Sequence, residues 1–370
     1  MNKDNIRICT ITHHTVLNYG AVLQAYALQK AIKKLGYNSE VLDYDSERVK
    51  RVYITSLKQV KTLKHFIKYV FFPYDKERKR NIQKFVDDNI IVSKKRYKKE
   101  ELIDSNKIYD LFITGSDQVW NLRLHEGDTS YMLDFVTDMN KKGSYAASFG
   151  YNEVPEEYKE LTKKNISDFK YLNIREKQGI DIIKNLIHRE GNVVLDPTFL
   201  LEKDDYKDIE IPIKESKPYV LLYNLTKSKT IIEFAQKLAK ENQCKLIVIN
   251  TELKRVYNGK NVRDASPEKF ISYIKNAKFV ITSSFHGIAF SIIFNKQFYY
   301  ELNRKKINNN SRLENISDIF GLESREISNV NDFKNLESIN YKEVNAKLEA
   351  LRKDSSKILK EMIEDCKKVK

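Results

Sequence analysis

Two series of short apolar segments that alternate with amphipathic segments constrain the fold of this chain more than any other feature. In the first series, Ile6–Ile11 is strand-like, Ala21–Leu35 has apolar residues at helical spacing, and Glu40–Tyr44 is again strand-like. Gly36 follows the helical segment, as the C′ residue of a helix commonly does. A strand, a helix and a second strand make a βαβ unit, so this region predicts a parallel sheet.

The alternation continues along the chain and restarts after the polar stretch Glu202–Lys217. Further strands of the first series are predicted at Asp110–Thr114, Ser144–Ala147, Tyr171–Ile174 and Asn192–Leu195. The second series predicts strands at Tyr219–Tyr223, Lys245–Asn250, Lys278–Thr282 and Gln297–Tyr300, with helices at Thr230–Glu241, Pro267–Asn276 and Gly287–Phe294. The sequence therefore predicts an N-terminal α/β domain over residues 1–205 and a C-terminal α/β domain over residues 206–325.

Two segments depart from this alternation. Residues 47–101 are rich in Lys, Arg and aromatic residues and are interpreted as a basic helical insertion on the first domain. Residues 326–370 form a C-terminal tail in which Tyr341–Glu364 has a single apolar stripe. We expect this segment to be a helix docked on the body of the protein, because it is too short for several coiled-coil heptads.

Composition limits the functional classes. A chain of 370 residues with 41% hydrophobic residues suits two folded domains. The net charge of +15 favours anionic partners, although most lysines are expected on solvated helix faces. Three widely spaced cysteines argue against a disulfide framework or a zinc site. The sequence shows neither a signal-peptide pattern nor an apolar run of about 18 residues, so a cytoplasmic location is expected.

The segment Thr282–Gly287 is the first candidate for an anion site, since it joins an apolar strand to an apolar helix. Backbone N–H groups at a helix N-terminus are unpaired and carry partial positive charge. Ser284 is the expected N-cap, and Gly287 is expected to let a ligand approach the backbone. His286, in the first turn, could bind a phosphate or carboxylate and transfer a proton. The alternative is a histidine packed at a strand–helix junction.

Two further candidates lie where predicted elements meet. Asn18, Tyr19 and Gly20 open the first helix, where Asn18 can cap it and Gly20 can leave room for a ligand. The alternative for these residues is capping alone. Arg175 and Glu176 follow a predicted strand and offer a guanidinium fork for a carboxylate or phosphate, with Glu176 able to orient it. Their alternative is a surface ion pair.

The segment Gly115–Asn121 combines hydrogen-bonding side chains with the only tryptophan, Trp120. Its polar side chains are Ser116, Asp117, Gln118 and Asn121. Sugar hydroxyls need paired donors and acceptors, and the C–H faces of a sugar stack on aromatic rings. The segment therefore fits a sugar site. It fits equally an Asp-anchored turn with a tryptophan in the core.

Other patterns carry less weight. His13 and His14 lack the spacing and neighbouring carboxylates of a metal site and are expected to be solvent-exposed loop residues. Asp43-Tyr44-Asp45 matches the D-x-D pattern by which some glycosyltransferases hold a metal, a match interpreted as accidental. Ser116 and Ser148 lack a recognisable nucleophile elbow, so a hydrolase triad is not predicted.

Polar loops that follow parallel strands gather at the carboxyl edge of a sheet, where ligands bind. If the two predicted sheets face each other with these edges, the candidate loops surround one cleft. These loops are Thr12–Gly20, Gly115–Asn121, Arg175-Glu176 and Ser283–Gly287.

Several segments, taken in this order, resemble the polysaccharide pyruvyltransferase family. They are Asn18–Tyr26, Gly115–Asn121, Tyr145–Gly150, Arg175-Glu176, Asp196–Leu200 and Ser283–Gly287. The resemblance covers roughly residues 7–300 and extends more weakly to Ser311-Arg312. The basic insertion and the tail after residue 325 lie outside it.

The resemblance implies two Rossmann-like domains facing across a cleft, as in GT-B glycosyltransferases. It also implies transfer of a pyruvyl group from phosphoenolpyruvate to two hydroxyls of one sugar, which forms a cyclic ketal and releases phosphate. This reaction requires no metal or redox cofactor. The acceptor would be a cell-surface polysaccharide or its lipid-linked precursor, which places the protein in exopolysaccharide and cell-envelope biosynthesis.

The resemblance also assigns residues to the two substrates. His286 and Arg175 occupy the positions of a donor-contacting histidine and arginine, which makes them the candidate catalytic residues. A protonated His286 could donate to the methylene carbon of the donor, creating an oxocarbenium-like centre. The other candidate donor-binding residues are Ser283, Ser284, Phe285, Gly287 and Arg312. The candidate acceptor-binding residues are Asn18, Tyr19, Gly20, Ser116, Asp117, Gln118, Asn121 and Glu176.

Two other functions stay open at this point. A GT-B glycosyltransferase that uses a nucleotide sugar would share the fold and the helix N-terminus. A non-catalytic basic binding protein is the remote alternative, and motifs typical of nucleic-acid binding are absent, so no nucleic-acid partner is expected. Lys61–Tyr74 interleaves aromatic and basic residues, which fits either peripheral contact with an anionic membrane or an ordinary helix packed on the first domain.

Overall fold

The computed structural model of the chain contains two five-stranded parallel sheets, one in each predicted series, and the last two strands of the first series pair as a separate two-stranded sheet. The structure describes residues 6–46, 73–226, 228–250, 255–303, 311–335 and 337–368. The chain divides into two compact units. The first unit comprises Met1–Tyr53, Val86–Leu201 and Glu349–Lys370, and the second comprises Ile54–Phe85 and Glu202–Leu348.

The sheet of the first unit has the strand order β3-β2-β1-β4-β5, with all pairs parallel. Its strands are β1 (Ile8–Ile11), β2 (Ser39–Tyr44), β3 (Val92–Tyr97), β4 (Leu111–Thr114) and β5 (Lys142–Ser144). The short strands β6 (Asn173–Ile174) and β7 (Asn192–Val193) pair in parallel beside it. Strand β1 is central and buried along its length, as expected for a strand with neighbours on both sides.

The sheet of the second unit repeats this topology, with the order β10-β9-β8-β11-β12 and parallel pairing throughout. Its strands are β8 (Tyr219–Tyr223), β9 (Lys245–Ile249), β10 (Lys260–Val262), β11 (Phe279–Thr282) and β12 (Gln297–Tyr300). In both sheets the chain runs outward from the first strand to one edge and then returns to its other side. This is the strand order of the Rossmann fold, so the prediction of two Rossmann-like α/β domains is confirmed.

Helices connect the strands. In the described part of the chain they are α1 (Tyr19–Lys34), α2 (Pro73–Asn89), α3 (Leu122–His125), α4 (Glu156–Ile166), α5 (Lys177–Ile187), α6 (Lys229–Glu241), α7 (Pro267–Asn276), α8 (Phe285–Ile293), α9 (Ser311–Phe320) and α10 (Tyr341–Lys368). Short 3₁₀ turns lie at Lys99–Lys107, Ser130–Met132, Met139–Lys141, Pro197–Leu200, Lys203–Ile209, Glu323–Arg325 and Asp332–Asn335. None of the described helices is both long enough and apolar enough to cross a membrane.

Helix α1 shows how local sequence sets an element. The Asn18 side chain accepts hydrogen bonds from the backbone N–H groups of Gly20 (3.0 Å) and Ala21 (3.4 Å), which caps the helix. At the other end, Gly36 has a φ of 87°, the left-handed conformation that ends many helices. Both predicted helix boundaries are therefore confirmed within two residues.

Several predicted elements differ from the structure in their bounds, and two of these differences have a clear physical reason. Residues 92–97 were expected to belong to a helical insertion, and that expectation is wrong, because they form the edge strand β3. Its exposed Lys94, Lys95 and Arg96 are typical of a strand protected against pairing with another chain. The predicted strand Ser144–Ala147 is instead Lys142–Ser144, because Ala146 has a φ of 56° and turns the chain out of the extended conformation.

The C-terminal helix α10 is docked, as predicted. In the first unit, the guanidinium of Arg352 donates from Nε to the backbone oxygen of Phe199 at 2.7 Å. The Ser355 hydroxyl accepts from the backbone N–H of Leu195 at 3.0 Å. Met362 lies over Gly143 of β5, where a Cβ atom would come within 2.7 Å of the Met362 sulfur. These contacts hold the helix on the first sheet, and a side chain at Gly143 would require the flexible Met362 side chain to move.

Candidate active site

The sheet topology selects one place in each unit where ligands are expected. Where the strand order reverses, the loops that follow two adjacent strands diverge and leave a crevice at the carboxyl ends. In the first unit this point lies between β1 and β4, which are followed by the segments 12–18 and 115–121. In the second unit it lies between β8 and β11, which are followed by the segments 224–228 and 283–284. The predicted segments Gly115–Asn121 and Ser283–Gly287 therefore lie at these two points.

A buried polar network around Arg175 occupies the first of them. One guanidinium nitrogen of Arg175 lies 3.1 Å from Asp196 Oδ2, and another lies 3.9 Å from Asp117 Oδ1. Arg175 Nε lies 3.5 Å from Glu176 Oε2. The same guanidinium donates to the Ser116 hydroxyl at 3.3 Å. The structure thus brings Ser116, Asp117, Arg175 and Glu176 together, and the surface ion pair considered as the alternative is excluded because Arg175 is buried.

Asp196 anchors this network and was absent from the predicted site. Its Oδ2 accepts from the Ser116 hydroxyl at 2.8 Å as well as from Arg175. Its Oδ1 accepts from the backbone N–H and the hydroxyl of Thr198, at 3.0 and 2.8 Å. The sequence signal was Asp196-Pro197-Thr198, an acid directly after a predicted strand, and only the fold shows that this acid points toward Arg175.

The network contains more negative charges than positive ones. One guanidinium faces three carboxylates, those of Asp117, Glu176 and Asp196. Burial alone lowers the pKa of Arg175, but the neighbouring carboxylates more than offset this and raise its pKa above the ordinary value. Arg175 is therefore a permanent cation whose charge is paired with carboxylates of the first unit.

The backbone at Asp117 is held in an unusual conformation. Asp117 has a φ of 73°, and its carbonyl accepts from the backbone N–H groups of Val119 (2.8 Å) and Ser148 (3.1 Å). Ala146, in the neighbouring segment, also has a positive φ. Such conformations cost roughly 1–3 kcal/mol each and persist where the surrounding structure imposes them. The structure around this loop therefore holds it in one particular shape.

The remaining predicted residues of the first unit have structural partners. Asn121 is the N-cap of α3 and accepts from the Leu124 N–H at 3.1 Å, while its amide donates to Gln118 Oε1. Gln118 lies against Gly150, where a Cβ atom would approach Gln118 Oε1 to 2.2 Å. Trp120 is fully buried and donates to the Tyr131 carbonyl at 3.1 Å, so the core interpretation of the tryptophan is confirmed.

Helix α1 connects to the network through its side chains. Its first residues, Tyr19 and Gly20, are buried. Gln24 donates to the Thr12 hydroxyl at 2.8 Å, and that hydroxyl donates to the Ser116 carbonyl at 3.0 Å. The beginning of α1 is thereby fixed relative to the loop that follows β4.

The prediction that His13 and His14 are exposed loop residues is wrong. Both are buried, because the loop after β1 is covered by residues from a distant part of the chain. The His13 ring lies 5.0 Å from the rings of His125 and Tyr131, and His125 lies 4.7 Å from Tyr131. His14 lies 3.6 Å from Asp43 Oδ1.

Each of the two acids in the D-x-D match, Asp43 and Asp45, forms an ion pair with a nearby residue. Burial would raise the pKa of Asp43, but the hydrogen bond with His14 and the charges of His14 and Arg96 lower it below its ordinary value. Asp45 pairs with Arg96 at 2.9 Å. Among the residues that the structure describes, no three His, Cys, Asp or Glu side chains are grouped to hold a metal ion.

In the second unit, strand β11 delivers Ser283 and Ser284 to the start of α8. Ser284 is the N-cap residue, as predicted, but its hydroxyl makes no capping hydrogen bond. Its N–H donates instead to the Thr282 hydroxyl at 3.1 Å. The Ser283 hydroxyl accepts from the Leu225 N–H at 2.8 Å and lies 3.3 Å from Asn224 Oδ1. The loops after β8 and β11 are therefore tied together at the point where the strand order reverses.

Gly287 has a packing role that the sequence did not indicate. A Cβ atom at this position would come within 2.2 Å of the Thr282 hydroxyl oxygen and 2.8 Å of Thr282 Cβ. The glycine is therefore required for close packing of α8 on the end of β11, and the approach of a ligand to its backbone stays a prediction. His286 is buried in the first turn of α8, with its ring edge-on to Phe285 at 5.2 Å.

Glu301 is a further polar residue of this edge that the sequence did not indicate. It follows β12, is buried, and accepts from the hydroxyls of Thr226 (3.1 Å) and Ser228 (2.7 Å). Ser228 in turn caps α6 by accepting from the Thr230 N–H at 3.2 Å. Arg312 lies in the first turn of α9, half-buried, in the same unit.

Comparison with known proteins places these observations in a family context. The family model described as polysaccharide pyruvyl transferase matches residues 18–301 of the chain. None of the curated proteins is similar enough in sequence to match it.

Solved structures resemble the chain in fold. A protein from Listeria monocytogenes assigned as a UDP-N-acetylglucosamine 2-epimerase superposes with a TM-score of 0.52 at 10% identity, covering 96% of this chain and 91% of that one. The UDP-GlcNAc 2-epimerase from Neisseria meningitidis gives 0.47 at 12% identity, covering 96% and 99%. The glycosyltransferase SsfS6 from Streptomyces sp. SF2575 gives 0.41 at 10% identity, covering 95% and 96%. At this identity the first likeness speaks for the fold alone, and with the two Rossmann-ordered sheets it confirms the predicted GT-B-like class.

Proposed function

We propose, since the chain belongs to the polysaccharide pyruvyl transferase family, that it transfers the pyruvyl group of phosphoenolpyruvate to two hydroxyls of one sugar. The product is a cyclic ketal, and phosphate is released. The observation that carries the proposal is the family match over residues 18–301, which includes both Rossmann-like sheets except for the first strand. The acceptor is a cell-surface polysaccharide or its lipid-linked precursor, modified on the cytoplasmic side of the membrane.

On the donor side, we assign His286 the role of general acid. The N-terminus of the nine-residue helix α8 carries partial positive charge and can bind the phosphate or carboxylate of the donor, and His286 places a titratable ring in the same turn. Burial of the ring excludes competing water from the proton it would deliver. Ser283, Ser284, Phe285, Gly287 and Arg312 complete the proposed donor site in the second unit.

On the acceptor side, the network of the first unit supports contacts with sugar hydroxyls. Carboxylate, amide and hydroxyl groups can accept and donate to such hydroxyls. The proposed residues are Asn18, Tyr19, Gly20, Ser116, Asp117, Gln118, Asn121 and Glu176. Asp117 and Glu176 are held by Arg175, so the ion pairs favour a positioning role for this arginine. Direct contact between Arg175 and the donor stays a prediction.

The proposal is tested by incubating the full chain with phosphoenolpyruvate and a panel of p-nitrophenyl hexosides that offer 4,6- or 3,4-diols. We expect phosphate release that depends on both compounds, with a pyruvate ketal on the sugar identified by mass spectrometry. Parallel incubations replace phosphoenolpyruvate with UDP-linked sugars. Release of UDP with glycoside formation, and no ketal with any acceptor, would favour a glycosyltransferase instead.

A further inference from the structure

We propose that Glu176 is the base that removes the proton from the first attacking acceptor hydroxyl, and that Ser148 and Arg175 orient it. This inference rests on the proposed function and deepens it, because it turns a residue assigned to acceptor binding into a reacting group. It is carried by the contacts of the Glu176 carboxylate, which differ from those of the other acids in the network.

The two oxygens of Glu176 have unequal environments. Oε1 accepts from the Ser148 hydroxyl at 2.6 Å, a short bond that fixes the side chain. Oε2 lies 3.5 Å from Arg175 Nε but accepts no hydrogen bond from a residue that the structure describes. A carboxylate offers about four acceptor positions, so Oε2 retains capacity for a hydroxyl proton. Only 3% of Glu176 is exposed. A buried acceptor without a hydrogen bond costs free energy, so its presence favours a function for Oε2.

Asp196 provides the contrast within the same network. Both of its oxygens accept two hydrogen bonds each, from Thr198 on one side and from Ser116 and Arg175 on the other. This carboxylate has no capacity left for a substrate. Asp196 is therefore the fixed counterion of Arg175, and Glu176 is the acid oriented beside it.

The local backbone supports the same conclusion. Glu176 occupies the N-cap position of α5, where a side chain commonly accepts from the N–H groups of the first turn. The Glu176 side chain makes no such bond. Its carboxylate is directed instead toward Ser148 and Arg175, away from the interaction that its position in the helix would otherwise provide.

The step balances without any additional reactant. The hydroxyl oxygen forms a bond to C2 of phosphoenolpyruvate, its proton passes to Glu176 Oε2, and the C2–C3 π electrons take a proton at C3 from a general acid. In the second half, the C2–O bond to phosphate breaks with its electron pair. The second hydroxyl then bonds to C2, and its proton leaves with the phosphate. Glu176 returns its proton to solvent, and the general acid regains one.

The test compares Glu176→Gln, Glu176→Ala and the control Glu190→Gln, which changes an exposed acid of the same unit. Glutamine can still accept from Ser148 but cannot act as a base. We expect kcat in Glu176→Gln to fall by about 10²–10⁴-fold, with unchanged calorimetric binding of phosphoenolpyruvate and an unchanged rate in the control. Added formate should restore a substantial part of the lost rate in Glu176→Ala, since it can replace the missing carboxylate.

The outcomes separate this inference from the proposed function. If the wild-type chain forms a ketal and Glu176→Gln forms it within a few-fold of the same rate, Glu176 is not the base. Failure of formate to restore any rate in a folded Glu176→Ala protein would likewise reduce Glu176 to a structural residue. If the wild-type chain transfers no pyruvyl group to any acceptor in the panel, the proposed function fails, and this inference fails with it.

Discussion

At the scale of single residues, Asp117 combines a buried carboxylate with a backbone conformation that few side chains adopt readily. Its φ of 73° lies in the region where Asn and Asp are tolerated better than most residues. The side chain lies near Arg175, and the carbonyl accepts from the loop that contains Ser148. The same residue thus shapes the loop and presents an acid in the network.

We predict that Asp117→Asn weakens use of the acceptor while phosphoenolpyruvate still binds. Asparagine tolerates the positive φ, so the loop should keep its shape, but it cannot accept a proton or pair with Arg175 as an anion. The measurement is the acceptor KM from phosphate release, together with calorimetry of phosphoenolpyruvate. An equal loss of donor affinity would contradict the assignment of Asp117 to the acceptor.

A second prediction concerns Gly287. A methyl group at this position would meet Thr282 at 2.2 Å, and the nearest atoms belong to a short buried side chain that cannot move far. Gly287→Ala should therefore destabilise the second unit by about 1–3 kcal/mol through overpacking. Urea unfolding followed by circular dichroism measures the loss. Wild-type stability would show that α8 can shift away from β11 without cost.

Residue roles could be predicted from sequence only where they depend on near neighbours. Asn18 and Ser284 were placed correctly as N-cap residues because a cap is set by the few residues that follow it. The burial of His13 was missed, since its cover comes from His125 and Tyr131, more than a hundred positions away. The packing role of Gly287 was missed because the clash with Thr282 arises only when the strand and the helix are packed together.

At the scale of elements, local sequence signals determined how well each boundary was predicted. The predicted bounds of Pro267–Asn276 and Gln297–Tyr300 match the structure at both ends. The start of α7 could be predicted because the helix begins at a proline after the capping serine Ser266. Strand β3 was missed because its three successive basic residues conceal the alternation of a half-buried strand. Its place in the sheet depends on pairing with β2, which is a contact distant in sequence.

The histidine cluster between the loop after β1 and helix α3 gives a pH-dependent prediction. Burial, and secondarily the neighbouring His13, lowers the pKa of His125 to about 3 from 6.5, although Asp117 and Asp128 act in the opposite direction. Burial also lowers the pKa of His13. Below about pH 6.5 the unfolded chain binds a proton at His125, whereas the folded chain does not bind it until the pH is near 3. The contribution of this histidine to the free energy of unfolding is therefore complete above about pH 6.5 and is lost as the pH falls toward 3.

At about 1.4 kcal/mol per pH unit, His125 should cost the protein roughly 2 kcal/mol of stability at pH 5. The measurement is the free energy of unfolding in urea at pH 7 and pH 5 for the wild type, His125→Gln and the exposed-histidine control His188→Gln. The decline should be smaller in His125→Gln than in the wild type, and unchanged in the control. An equal decline in all three proteins would show that the buried imidazole is not responsible.

At the scale of the whole molecule, the repeated strand order explains why the fold class could be predicted from the sequence. Each βαβ step is encoded locally, so two separate series of such steps indicate two Rossmann-like sheets. The polar network of the first unit could not be predicted to the same extent. It joins Ser116, Ser148, Arg175 and Asp196 through side-chain directions that no spacing in the sequence specifies.

The net charge of +15 motivates a prediction about location. Lys61–Tyr74 lies largely outside the described residues, so contact of this basic, aromatic segment with a membrane stays a prediction. We expect the protein to float with anionic liposomes at low salt and to be released at high salt, at about 1 kcal/mol per basic residue near the surface. Replacing Lys61, Lys64 and Lys68 by Glu should abolish flotation. Flotation that changes neither with salt nor with these substitutions would refute membrane contact through this segment.

The most direct test of the central claim is pyruvyl transfer from phosphoenolpyruvate by the wild-type chain, by His286→Gln and by the control His188→Gln. Phosphate release and the mass of the sugar product are measured together. The proposal predicts ketal formation by the wild type and the control, with a rate about 10²–10⁴-fold lower in a folded His286→Gln protein. Wild-type turnover by His286→Gln would contradict the assignment of the acid. Absence of ketal from the wild type with every acceptor would contradict the proposed function itself.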